Sequence, residues 1–225
     1  MRSYLSFSLL MGLFFLTTTA LQAQVGFKLG VNYASLSRDP GEATIGDYKE
    51  KSVIGLQGGL VLEFALADMF AIQPEFLYIQ KGGKYQAVVD ENNKLITKVL
   101  YDYIEVPVLA KLKLGNTDGE GLGFYLIGGP FAGLALKGKG ETELTVLGVT
   151  TTDEFEVDYK DDDNREKRLD WGVSFGAGLN FGHLFIDARY NLGVNNLLDD
   201  DANNNNDNSD YLRTRGIGLT LGLMF

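Results

Sequence analysis

The stretch RLDWGVSFGAGLNFGHLFIDARYNLGV, residues 168–194, decides how the chain is read. From Leu169 to Phe181 every odd position is apolar: Leu169, Trp171, Val173, Phe175, Ala177, Leu179 and Phe181. The even positions are Asp170, Gly172, Ser174, Gly176, Gly178 and Asn180. Side chains alternate faces along a strand, so one face is apolar and the other polar or empty. The pattern resets across Gly182-His183. Leu184, Ile186, Ala188, Tyr190, Leu192 and Val194 then oppose Asp187, Arg189, Asn191 and Gly193. Two alternating runs joined by almost nothing form a β-hairpin. Glycine weakens an ordinary strand. It suits a face that must fit inside a narrow curved barrel beside long polar side chains, with the apolar face turned to lipid. A soluble β-sandwich would also alternate, and the hairpin alone leaves both readings open.

The rest of the chain favours the barrel. Val25–Leu36 alternates, with Val25, Phe27, Leu29, Val31 and Tyr33 against Gly26, Lys28, Gly30, Asn32 and Ala34. Val53–Leu66, Phe70–Gly82, Tyr101–Leu114, Leu122–Leu136 and Arg215–Phe225 read as further strands, eight with the hairpin's two. Pro74 lacks a ladder donor and marks a bulge or local irregularity. In Leu122–Leu136 the faces blur, because Ile127 and Phe131 fall on the inward register, and a bulge near Gly128-Gly129-Pro130 would explain it. Polar stretches at Ser37–Lys51, Gly83–Lys98, Lys137–Lys167 and Asn195–Arg213 read as long loops. Within the third, Glu143–Val149 and Thr151–Tyr159 suit a hairpin extending beyond the membrane. Ala67-Asp68-Met69, Gly115–Gly121 and Gly182-His183 read as short turns. Strict alternation of long and short connections is the habit of bacterial outer-membrane barrels, with long loops outside and short turns in the periplasm. Most runs reach the ~9–11 residues that a tilted strand needs to cross. The final Phe225 closes an alternating strand, and a terminal aromatic there is the expected signal for the outer-membrane assembly machinery. The expected fold is all-β, an eight-stranded antiparallel up-and-down transmembrane barrel.

Composition narrows the function. The 225 residues suit one domain or one mid-sized barrel. A mean hydropathy of −0.04 excludes a bundle of several membrane helices but not a barrel, whose interior dilutes the signal. There are no cysteines, hence no disulfide framework and no thiol chemistry. A net charge of −10 argues against nucleic acid. Arg2 followed by the apolar run Leu5–Leu16 and by Ala20-Leu21-Gln22-Ala23 reads as a signal peptide over residues 1–23, cut after Ala23. The barrel domain then spans residues 24–225.

Several segments carry a family resemblance. DYIEVPVLAKLKL (Asp102–Leu114), FYLIGGPFAGLAL (Phe124–Leu136), DWGVSFGAGLNF (Asp170–Phe181) and ARYNLGVNNL (Ala188–Leu198) resemble the PorT-like outer-membrane β-barrel domain common in the Bacteroidetes. The resemblance covers Val25–Phe225 and implies an eight-stranded outer-membrane barrel. It implies no single activity, although the founding member is linked to secretion of surface proteins.

The alternation places ten charges inside: Lys28, Glu63, Glu75, Lys81, Glu105, Lys111, Lys113, Asp170, Asp187 and Arg189. An eight-stranded barrel has little room beyond side chains, and buried charges must pair or stay hydrated. An internal ion-pair network that plugs the barrel is therefore expected, with a narrow conduit or small-ligand cavity as the alternative. Catalysis finds no support, since the one histidine, His183, falls in a short periplasmic turn away from any outer-loop serine. Asp161, Asp162 and Asp163, and Asp199, Asp200 and Asp201 with Asp207 and Asp210, offer oxygen ligands for calcium. They lack EF-hand spacing, and a solvated acidic surface loop is the favoured reading. The expectation is a non-enzymatic outer-membrane scaffold or surface-binding protein without cofactors. Its partners would be membrane lipid and lipopolysaccharide, the assembly machinery, and an envelope or secretion protein. A small channel or ligand carrier, and an accessory secretion component, are the alternatives.

Overall fold

A computed structural model describes residues 23–38, 47–90, 92–115, 121–157, 167–198 and 211–225. Ten strands run in the order β1 (Ala23–Arg38), β2 (Asp47–Lys51), β3 (Val53–Ala67), β4 (Phe70–Asp90), β5 (Asn93–Gly115), β6 (Leu122–Val146), β7 (Val149–Val157), β8 (Leu169–Phe181), β9 (Leu184–Gly193) and β10 (Leu212–Met224). The hydrogen-bonded path β4-β3-β1-β10-β9-β8-β6-β5 closes on itself through β4–β5, giving a ring of 8 strands. All the described pairings are antiparallel. Closure removes the ring's edges, and Phe225 completes it by exchanging backbone hydrogen bonds with Val25 at 2.9 and 3.2 Å.

The two faces follow the alternation. Leu29, Ile54, Phe76, Val108, Leu126, Phe175, Ile186 and Leu219 point outward and are exposed. Lys28, Gln57, Glu75, Tyr103, Tyr125, Asp187 and Thr220 point inward and are buried. Burial of polar groups beneath an exposed apolar wall inverts a soluble protein and matches lipid as solvent.

Two departures from the sequence reading concern β6. Its register against β8 runs unbroken from Leu122↔Phe181 to Leu134↔Leu169, so there is no bulge at Gly128-Gly129-Pro130. Ile127 and Phe131 are instead true interior residues, because the barrel core is partly apolar: Ile127 packs with Val61, Leu109, Tyr125 and Phe185. The shift lies higher, where Asp102 pairs with Lys137 but Tyr103 pairs with Ala135. Pro74 interrupts the β3–β4 ladder without displacing it. Pairing skips the two positions after Val61↔Glu75 and resumes in the same register at Phe64↔Ile72.

The polar stretches also differ from expectation. Gly83–Lys98 is not a loop, since β4 and β5 stay paired through it up to Asp90↔Asn93. Ser37–Lys51 contains β2, which pairs with the upper part of β4. The β6–β7 hairpin turns at Leu147-Gly148. Polarity here marks water on both faces, and the ladder still satisfies the backbone. The result is a five-stranded sheet, β2-β4-β5-β6-β7, standing above the ring at its long-connection end.

Candidate functional site: the ionic interior

Each of the ten inward charges sits in an ion pair, in three groups stacked along the barrel. Nearest the short-turn end, Glu63 on β3 takes Lys111 Nζ at 2.7 Å and also Lys113, both from β5. At mid-height Glu75 of β4 receives Lys28 Nζ at 2.7 Å and both terminal nitrogens of Arg189 at 2.7 and 2.8 Å. Arg189 also donates to both oxygens of Asp187 at 2.8 and 2.9 Å. One guanidinium thus joins two carboxylates in the forked geometry that suits arginine. Toward the long-connection end, Lys81 bridges Glu105 at 2.5 Å and Asp170 at 2.7 Å.

Neutral residues complete these groups. Gln73 Nε2 donates to Glu75 at 2.6 Å, and Thr214 Oγ1 donates to Asp170 at 2.8 Å. Both share the inward parity of their strands, which is the signal that could have found them. Aromatic rings pack between the charges. Lys81 Nζ lies 4.4 Å from the Phe131 ring centre, and Lys111 Nζ lies 4.1 Å from that of Tyr125. Tyr125 also explains one glycine. A Cβ on Gly178 would fall 2.2 Å from the Tyr125 Cζ, so the space that Gly178 leaves is taken by this ring. Above the uppermost charges Leu36, Ile79, Tyr101, Leu197 and Leu212 close over the interior as an apolar cluster.

Other candidates fall elsewhere. Asp161, Asp162, Asp163, Asp199, Asp200 and Asp201 lie outside the described residues, as do Asp207, Asp210 and residues 1–22. Among the described residues no group of three or more acidic or histidine side chains could hold a metal ion. His183 sits in the turn between β8 and β9. Its Nδ1 donates to the Met224 carbonyl at 2.7 Å, and its ring stacks on Phe225. It therefore ties the C-terminal strand to its neighbour. In the sheet above the ring, Asn93 Nδ2 donates to both oxygens of Asp90 at 3.0 and 2.9 Å and Asn92 N donates at 2.8 Å. These bonds hold the Asp90 carboxyl below the usual carboxylate range.

A closed antiparallel ring, apolar outside and ionic inside, defines a transmembrane β-barrel of the outer-membrane class. The chain belongs to the outer membrane protein beta-barrel domain family, whose model matches residues 17–199. Among solved structures it is similar to Ail, the attachment invasion locus protein of Yersinia pestis, at 14% identity and TM-score 0.40, over 90% of this chain and 99% of that one. It is similar to OprG of Pseudomonas aeruginosa at 12% identity and TM-score 0.44, over 91% and 97%. Neisserial surface protein A is similar at 11% identity and TM-score 0.38, over 90% and 97%. No curated protein sequence matches the chain.

Proposed function

We propose that this protein is a non-conducting, non-enzymatic scaffold of the outer membrane that holds a rigid β-sheet outside the cell for contact with an envelope component or partner protein. The observation that carries this reading is the complete pairing of the ten interior charges, with Tyr125, Phe131 and the apolar cluster around Tyr101 packed among and above them. A conduit needs hydrated, accessible charge. Glu75, Asp170 and Asp187 are instead almost without solvent contact. The test is planar-bilayer conductance of the full-length protein, with folding verified by a mobility shift between unboiled and boiled samples. A folded, electrically silent barrel is expected. Defined single-channel openings would overturn the reading in favour of a small channel or carrier. A role beside a secretion system rests on the PorT-like segments Asp102–Leu114 and Phe124–Leu136, and copurification with secretion components from native membranes would support it.

A further inference from the structure

The outer wall carries charge at the level where the apolar belt ends, and it does so unequally around the ring. On the β4–β6 side a groove of about 650 Å³ opens between Tyr78, Asp102, Lys137 and Lys139. Its cations are matched by acids. Lys137 lies 3.4 Å from Asp102, Lys139 lies 3.7 Å from Glu156, and Lys98 sits opposite Glu141 in register. On the β1–β10 side the pattern differs. Arg213 and Arg215 stand two residues apart on the same outward face of β10, both exposed. Among the described residues neither has a carboxylate partner, and Arg213 has only the ring of Tyr211, 5.3 Å from its guanidinium carbon.

Their height follows from the sequence of the same strand. Below Arg215 the outward column reads Ile217, Leu219, Leu221, Leu223 and Phe225. That span is about the nine residues with which a tilted strand crosses the hydrocarbon. Tyr33 and Tyr190 flank Ile217 in register on the two neighbouring strands, as an interfacial aromatic girdle does. Arg215 and Arg213 therefore project into the headgroup layer. Ser35 and Ser37 of β1 lie opposite them in register and add hydroxyl donors to the same patch.

We infer that Arg213 and Arg215, with Ser35 and Ser37, form a binding site on the barrel's outer wall for the phosphorylated headgroup of an outer-leaflet glycolipid, lipopolysaccharide. Guanidinium groups chelate phosphate through paired N–H donors, and two exposed arginines with no carboxylate partner among the described residues suit anionic surroundings. The inference rests on the outer-membrane reading but not on whether the barrel conducts.

The test uses the full-length protein in phosphatidylcholine nanodiscs, titrated with purified lipid A and with lipid A stripped of its phosphates. The wild type should prefer the phosphorylated lipid by about tenfold or more, the scale of two headgroup-level arginines. The double variant R213Q/R215Q, checked for the folded mobility shift, should lose that preference, and K137Q should keep it. A double variant that still discriminates would overturn the site. So would an equal loss in K137Q, which would indicate general surface charge, or displacement of the lipid by an equal concentration of inorganic phosphate, which would remove the lipid as occupant.

Discussion

The lower and upper halves of β6 are one strand in two solvents. From Leu122 to Leu134 it is paired on both sides within the ring, by β5 and β8, and its outward residues are apolar in nearly every position. From Gly138 to Thr145 it is again paired on both sides, now by β5 and β7, yet its residues read GKGETELT with no clean face. Strands flank it on both sides in the two halves. What changes is the medium against the outer face. The pairing therefore sets where the strand runs, and the chemistry of the outward residue sets where the membrane stops. Leu126 and Leu144 mark the contrast well, because they are 42% and 47% exposed. Equal exposure means burial in lipid for one and contact with water for the other.

The largest break comes from the interior that keeps the lower half closed. Glu75→Ala leaves Lys28 and Arg189 buried beside each other without their shared carboxylate. The expected cost is about 3–5 kcal/mol, as for other buried pairs stripped of one partner. It would be read as a lowered urea midpoint for the barrel refolded in lipid vesicles. Removing Lys28 as well, in Glu75→Ala/Lys28→Met, should recover part of the loss, because Arg189 then keeps Asp187 and one repulsive neighbour is gone. Stability within about 1 kcal/mol of wild type for Glu75→Ala would mean that water, not pairing, supports these charges.

A second experiment acts on the comparison directly. Leu126→Arg places a charge against lipid and should cost about 2–4 kcal/mol, the measured scale for a barrel's midplane. Leu144→Arg places the same charge on the upper sheet and should fall within about 0.5 kcal/mol of wild type. The measurement is reversible unfolding of both variants in the same vesicles. Equal costs would move the membrane boundary above Leu144 and dissolve the distinction between the halves.

The same contrast explains what the sequence could disclose. Within the ring, alternation is enforced by two incompatible media, so Leu169–Phe181 or Arg215–Phe225 can be read residue by residue. Above the ring both faces meet water, alternation lapses, and Gly83–Lys98 resembles a loop although Gly83–Val88 is laddered to Lys94–Val99. Interior contacts are harder still. Parity puts Glu75 and Arg189 on the inner face, but they are 114 positions apart. No local pattern announces that one guanidinium will join Glu75 to Asp187 while Glu63 goes to two lysines. Arg213 and Arg215 are hard to see as a pair because Asn195–Arg213 reads as a polar loop. The odd parity Arg213 shares with Arg215 and Ile217 is the signal for an outward column.

The smallest effect lies at the far tip of the upper half and sharpens the comparison by touching that half alone. Leu147 and Gly148 form the two-residue turn of the β6–β7 hairpin with φ of 51° and 80°. Positive φ at both central positions is the turn that fits strand twist, and it favours Asn-Gly. Leucine is a poor occupant of the first position, since its Cβ crowds the carbonyl there. Its side chain is 83% exposed, so it gains little packing in return. Leu147→Asn should therefore stabilise the hairpin by about 1 kcal/mol by relieving that crowding. Amide exchange across Val149–Val157 should slow several-fold, while the unfolding midpoint of the ring stays where it was. An unchanged exchange rate would mean that the tip is held by its neighbours, Asn92 O accepting from Gly148 N at 3.1 Å and Asn93 Oδ1 accepting from Leu147 N at 3.2 Å. A shift in the ring's midpoint would mean that the two halves unfold as one.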